Sequence, residues 1–144
     1  MIGKGILTLL VLSSFLLGYP KNQVLQIEVE NISTPKGCVW FGIYNSEQSF
    51  LNKERAVAVF GEKITKAGMI QVRFDQMPFG TYAVAIFHDV NSNGELDQNL
   101  MGIPKEPYAF SKQPKSKWRV PTYEEVNFDF KRPNQSLKMR LENW

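Results

Sequence analysis

The stretch "VLQIEVEN", residues 24–31, decides the fold, because its apolar residues recur every second position. Leu25, Ile27 and Val29 face one way, and Gln26, Glu28 and Glu30 face the other. A period of two is that of an extended strand with one covered face and one wet face. The same alternation returns in "MIQVRFD" (69–75), with Ile70, Val72 and Phe74 inside. It returns again in "VNFDFK" (126–131), with Val126, Phe128 and Phe130 inside, and in "LKMRLE" (137–142), with Leu137, Met139 and Leu141 inside. Strands wet on one face are the mark of antiparallel sheets. "CVWFGIYN" (38–45) and "TYAVAIFH" (81–88) are apolar on both faces and read as more deeply covered central strands. "AVAVF" (56–60) supplies a shorter seventh.

Turn residues separate these runs. "TPKG" (34–37) is expected to make a hairpin between the first two strands, "KAG" (66–68) precedes the fourth, and "QMPFG" (76–80) leads into the fifth. "RPNQ" (132–135) joins the last two, and "NSEQSFLNKER" (45–55) has room for one helical turn. No long period of 3.6 residues occurs. The reading is therefore an all-β antiparallel sandwich of about seven strands. Residues 89–123 stand apart as a long connection with no strand pattern. Connections beyond about 12–15 residues are usually functional or disordered. This one carries apolar anchors at Leu96, Leu100, Ile103, Tyr108, Phe110 and Trp118, so it is expected to be ordered and packed.

The chain has 144 residues, which suits one domain over residues 22–144 once the start is set aside. Residues 1–20, "MIGKGILTLLVLSSFLLGYP", combine Lys4 with the apolar run Ile6–Leu17. That length matches a signal-peptide core and falls short of the roughly 20 residues that span a bilayer. An exported protein, periplasmic or extracellular, is the expectation, with cleavage near residues 18–23. The weak cleavage site leaves an uncleaved N-terminal anchor as the alternative, and no other transmembrane span is expected. The net charge is +3, and +2 without Lys4, with no basic stripe, which excludes a nucleic-acid partner. No other partner can be named. Cys38 is the only cysteine, so an intramolecular disulfide and an all-cysteine zinc site are excluded. Within "CVWFGIY" it reads as a small buried hydrophobe.

"HDVNSNGELD", residues 88–97, is the most polar stretch and holds the only histidine. Asp89, Asn91, Asn93, Gly94, Glu95 and Asp97 occupy positions 1, 3, 5, 6, 7 and 9 of a calcium-loop spacing. Short oxygen-bearing side chains alternating around a glycine bend suit a cation that takes six to eight oxygens. Position 7 would lend its backbone carbonyl. Position 12 is Leu100 rather than glutamate, with Glu106 as the nearest replacement, so calcium affinity would be weak, on the order of 10⁻⁴–10⁻³ M. The equal alternative is a metal-free turn in which the Asx side chains bond the loop backbone. Catalysis is the third reading, through His88 with Asp89 or Asp97. His88 should share a face with Tyr82, Val84 and Ile86 and pin the loop by a hydrogen bond. One histidine cannot build a zinc or copper site, and Ser49 and Ser111 lack a nucleophile-elbow context. In "GIPKEPYAFS" (102–111), Tyr108 and Phe110 either seal the sandwich end or offer an aromatic surface to a ligand such as a glycan.

The segments "GTYAVAIFHDVNSNGELDQNLMGIPKEPYAFS" (80–111) and "VPTYEEVNFDF" (120–130) resemble a bacterial exported family, domain of unknown function 2141. Three motifs occur in order: an H-D-x-N-x-N run, a G-x-P-x-E run ending in F-S, and a P-x-aromatic-x-acidic run. Pro107 and Ala109 stand where the family usually has glycines. The resemblance implies an exported immunoglobulin-like or transthyretin-like sandwich and no established activity. Two functions follow as expectations. One is a non-catalytic exported module of unknown role, binding calcium weakly or a ligand through its 88–111 loops, with a carbohydrate as one ligand class. The other is a small envelope hydrolase using His88. Transthyretin-like hydrolases need several histidines, and this chain has one.

Overall fold

A computed structural model of the chain describes residues 23–144. The expected signal peptide or anchor at residues 1–20 lies outside the described residues. Eight strands form: β1 (Val24–Ile32), β2 (Cys38–Tyr44), β3 (Ala58–Lys63), β4 (Gly68–Asp75), β5 (Gly80–Asp89), β6 (Tyr108–Phe110), β7 (Phe128–Phe130) and β8 (Gln135–Arg140). A single helical turn, α1 (Tyr123–Val126), precedes β7. The first sheet has the order β4-β1-β8, and the second β3-β2-β5-β6 with β7 also paired to β5. The two packed sheets make the all-β sandwich that the alternation predicts. Among the described residues no helix is long and apolar enough to cross a membrane.

The inward residues of the alternating strands meet in one core. Leu25, Ile27 and Val29 of the first sheet pack with Val39, Phe41 and Ile43 of β2 and with Val84 and Ile86 of β5. Phe128, Phe130, Met139 and Leu141 belong to the same core, with Ile32, Ile64, Val72, Met77 and Tyr82. Ile70, Phe74 and Leu137 pack against this core but stay partly exposed, because β4 and β8 are edge strands. Val126 is fully buried, but from α1 rather than from a strand, so β7 starts two residues later than its alternation suggests.

Several expectations change. The sandwich is not wholly antiparallel: β8 runs parallel to β1, with Ile27 opposite Leu137 and Val29 opposite Met139. A parallel pair needs a crossover, and here the chain passes through the second sheet between the two strands. "TPKG" makes no hairpin, because β1 pairs with β4 and β8 while β2 lies in the other sheet. "AVAVF" lends only its last three residues to β3, since Ala56 and Val57 precede it. The connection 89–123 does contain a strand, β6, which alternation over three residues cannot reveal. Within it Leu96 and Ile103 are half-buried as expected, whereas Leu100 and Trp118 are exposed, Trp118 meeting Trp144 edge-on at 5.8 Å rather than the core. Cys38 is only half-buried, because even-numbered residues of β2 point away from the core. Burial, with the nearby Asp89 and Glu62, pushes its thiol above the usual value.

Candidate functional site

Successive residues of a strand point to opposite faces. At the end of β5 this sends His88 into the core and Asp89 to the outer face of the second sheet. His88 is fully buried, on the same face as Tyr82, Val84 and Ile86. Its Nε2 donates to the Lys36 carbonyl at 2.7 Å, and its Nδ1 is buried without a partner. The Lys36 carbonyl sits there because the next residue is Gly37, with φ of +80°. A Cβ at Gly37 would run into the Asp89 carbonyl, so only glycine lets this turn close onto β5. His88 thus pins the 34–37 turn, not the 89–97 loop. It does not meet Asp89 or Asp97, and the pairing that hydrolysis would need is not formed.

Asp89 organises the loop. Its Oδ1 accepts from the Asn93 amide at 3.0 Å, and its Oδ2 accepts from the Gly94 amide at 2.7 Å and the Trp40 indole at 3.1 Å. Burial pushes its carboxyl up, but bonds from Gly94, Trp40, Asn93 and Ser92 outweigh that and hold it below the ordinary aspartate range. The asparagines form Asx turns: Asn91 Oδ1 accepts from the Asn93 amide at 3.1 Å, and Asn93 Oδ1 from the Glu95 amide at 3.0 Å. Their Nδ2 groups donate to Asp97, at 2.6 and 2.9 Å. Glu106 is buried and accepts from the Val90 amide at 2.9 Å and the Asp97 amide at 3.1 Å. Asp89, Asn91, Asn93, Asp97 and Glu106 are therefore brought together by these bonds, while the Glu95 side chain is exposed. The two asparagines turn nitrogen, not oxygen, toward Asp97. Among the described residues no group of three or more His, Cys, Asp or Glu side chains is arranged to hold a metal ion.

Beyond Asp97 the chain folds back on itself. The Lys105 amide donates to the Asp97 carbonyl at 2.8 Å, and the Asn99 amide to the Ile103 carbonyl at 2.9 Å. Residues 97–105 thus form a short finger whose base Glu106 fixes. The finger and residues 114–121 wall a cavity of about 770 Å³ on the outer face of the second sheet.

Its floor follows from strand register. Val59, Gly42, Ala85 and Phe110 lie side by side across β3, β2, β5 and β6. The adjoining row is Gly61, Trp40, Phe87 and Tyr108. Small residues in the first row leave a trough, and Trp40 lies against Gly61, whose added Cβ would come within 2.9 Å of the indole. At the far end Tyr44 lies over Gly42, and Phe50, Tyr123 and Val126 close the sheet with a second small core. Ser111, the buried serine after β6, ties these parts together: its Oγ accepts from the Val84 amide at 2.9 Å and donates to the Val126 carbonyl.

Tyr108 and Phe110, the expected aromatic surface, both line this trough. Trp40, Trp118 and Trp144, all the tryptophans of the chain, line it too. Residue pattern alone does not reveal this, since the three are 26 to 104 positions apart in sequence. Among the described residues, six of the eleven exposed large hydrophobic residues border the cavity: Leu51, Val59, Met101, Trp118, Val120 and Trp144. Among the described residues its charged lining is Lys53, Lys117 and Arg119, with no acid. Lys53 sits 5.6 Å above the Trp40 ring. Lys117 pairs with Glu142 at 3.1 Å, and Arg119 with Glu125 at 2.7 Å, which holds the Glu125 carboxyl down at about 2.

No curated protein and no solved structure matches the chain. A family model does, over residues 27–138, which includes most of both sheets, the whole 88–106 loop and the trough floor. The chain belongs to the family described as "Uncharacterized protein conserved in bacteria (DUF2141)".

Proposed function

We propose that this chain is an exported, non-catalytic β-sandwich module, periplasmic or extracellular, that binds an apolar ligand in the trough. The carrying observation is the convergence of three tryptophans, Tyr108 and Phe110 on one cavity of about 770 Å³. Cavities of roughly 300–1,000 Å³ lined by apolar and aromatic groups are typical of small-molecule sites. Exposed hydrophobic residues scattered singly need no explanation, but a contiguous set does. A glycan fits less well, because sugar hydroxyls are held by carboxylates and amides. Gln98 is the one amide side chain in the described lining, and no carboxylate is there. Export rests on Lys4 and the apolar run 6–17.

In this reading the 88–97 loop is a scaffold. Asp89 fixes Trp40 in the floor, and Glu106 fixes the finger that forms one wall. Calcium in the loop would require Asn91 and Asn93 to turn oxygens inward that now accept backbone N–H groups. Hydrolysis through His88 is disfavoured by its complete burial and its bond to Lys36.

The test uses 1-anilinonaphthalene-8-sulfonate, an apolar anion that fluoresces on leaving water. It should bind the folded protein and alter tryptophan emission. Ala85→Phe fills the trough from its floor and should weaken binding about tenfold or more, since one buried aromatic ring displaces ligand contacts of that size. Equal probe binding by wild type and Ala85→Phe, with both folded, would remove the trough as the site.

A further inference from the structure

We infer that the finger tip and the neighbouring basic segment dock this protein onto an anionic lipid surface. The proposal concerns the rim of the trough and does not require the trough to hold a ligand. Leu100 and Met101 are the central residues of the turn Asn99–Gly102. The turn is built to be fixed: the Gly102 amide donates to the Asn99 carbonyl at 2.9 Å, and Gly102 has φ of +77°. Asn99 Oδ1 also accepts from the Met101 amide at 2.9 Å and the Ile103 amide at 3.0 Å. This bonding leaves Leu100 fully exposed and Met101 80% exposed. Solvated turn tips are ordinarily polar. A rigid tip carrying two large apolar side chains is suited to insertion.

Trp118 (87% exposed) and Val120 border the same cavity as Met101, so they share its side of the molecule. Around them runs "KQPKSKWRVP", residues 112–121, with four cations and no acid. Lys112 and Lys115 are exposed and form no ion pair among the described residues. Lys117 and Arg119 face Glu142 and Glu125. Protruding leucine and methionine enter hydrocarbon, tryptophan settles at the headgroup boundary, and lysine and arginine meet lipid phosphates. A fluid bilayer accepts isolated fingers without a matching shape. A protein partner would need a complementary pocket for Leu100 and Met101, and the charge pattern favours the anionic lipid.

The experiment is co-sedimentation of the full chain with vesicles of phosphatidylcholine alone, or mixed equally with phosphatidylglycerol. The chain should bind the mixed vesicles more tightly, and raised salt should weaken that binding. Leu100→Asp combined with Met101→Asp should lower mixed-vesicle partitioning about tenfold or more. Lys112→Glu combined with Lys115→Glu should lower it while leaving binding to neutral vesicles unchanged. Trp118→Ser, far from the core, gives a third variant that keeps the turn intact. Thermal melting checks that each variant is folded. Residues 1–22 are common to all these proteins. Equal binding by wild type and every variant would assign attachment to another part of the chain and overturn the proposal. So would indifference of the wild type to lipid charge, or no vesicle binding at all.

Discussion

Asp89 is the residue on which the site turns. Its carboxylate is buried and satisfies two backbone amides and the Trp40 indole at once. Leaving buried donors without a partner costs roughly 1–3 kcal/mol each when water cannot reach them. Asp89→Ala is therefore expected to lower unfolding free energy by about 2–3 kcal/mol in a urea titration, with less change for the exposed Asp75→Ala. Acid should act in the same direction. The carboxyl lies lower in the folded protein than in the unfolded chain, so its contribution is complete above the unfolded value near 4 and fades as pH falls toward the folded value. Stability measured from pH 6 down to pH 2 should fall below about pH 4. The fall should be shallower in Asp89→Asn. Glu125, held at about 2 by Arg119 and the Thr122 amide, adds to the wild-type fall in the same window.

Elements differ in how much of their identity is local. β1 carries an uninterrupted alternation, and its inward residues are fully buried. The strand after α1 is three residues long and holds its place by two rings. Phe128 and Phe130 are both buried, and Phe128→Ala should cost about 3–5 kcal/mol by chemical denaturation, the range for a deleted core ring. Ser111 tests the other kind of contact. Its hydroxyl bridges β5 and the end of α1, so Ser111→Ala should cost about 1–3 kcal/mol through the orphaned Val84 amide. A Ser111→Ala protein as stable as wild type would mean that water takes over both bonds. β6 forms because it has β5 to pair with: Tyr108 and Phe110 flank Phe87 and Ala85, while Ala109 turns inward to the core.

At the scale of the molecule, the sandwich leaves the outer face of its second sheet to be covered by connections. One end is closed by α1 and Phe50, the other by the 89–106 loop, and the trough remains between them. Whole-molecule stability distinguishes the scaffold reading of that loop from the calcium reading. A ligand bound only by the folded state raises stability by RT ln(1 + [L]/Kd), about 1.4 kcal/mol at ten times Kd. As a scaffold already bonded to itself, the loop should leave the melting temperature unchanged in millimolar calcium. A rise that Asp89→Ala abolishes, while His88→Ala retains it, would establish calcium in its place.

The sequence by itself determined the sandwich, because alternation is a local property: each Leu25, Ile27 or Val29 reports its own face whatever its partner strand is. It also determined the grouping of Asp89, Asn91, Asn93 and Asp97, since nine residues around a glycine bend cannot separate far, and the family, since three motifs stand in order. Strand partners were not legible. Parallel pairing of β8 with β1 and the absence of a hairpin at 34–37 depend on which sheet edge is free when the chain arrives. The orientation of the asparagine amides depends on backbone N–H groups that exist only once the turn is closed. The trough is the clearest case. Trp40, Trp118 and Trp144 are unremarkable one by one, and only register across β3, β2, β5 and β6, with the finger folded above it, sets them around one space.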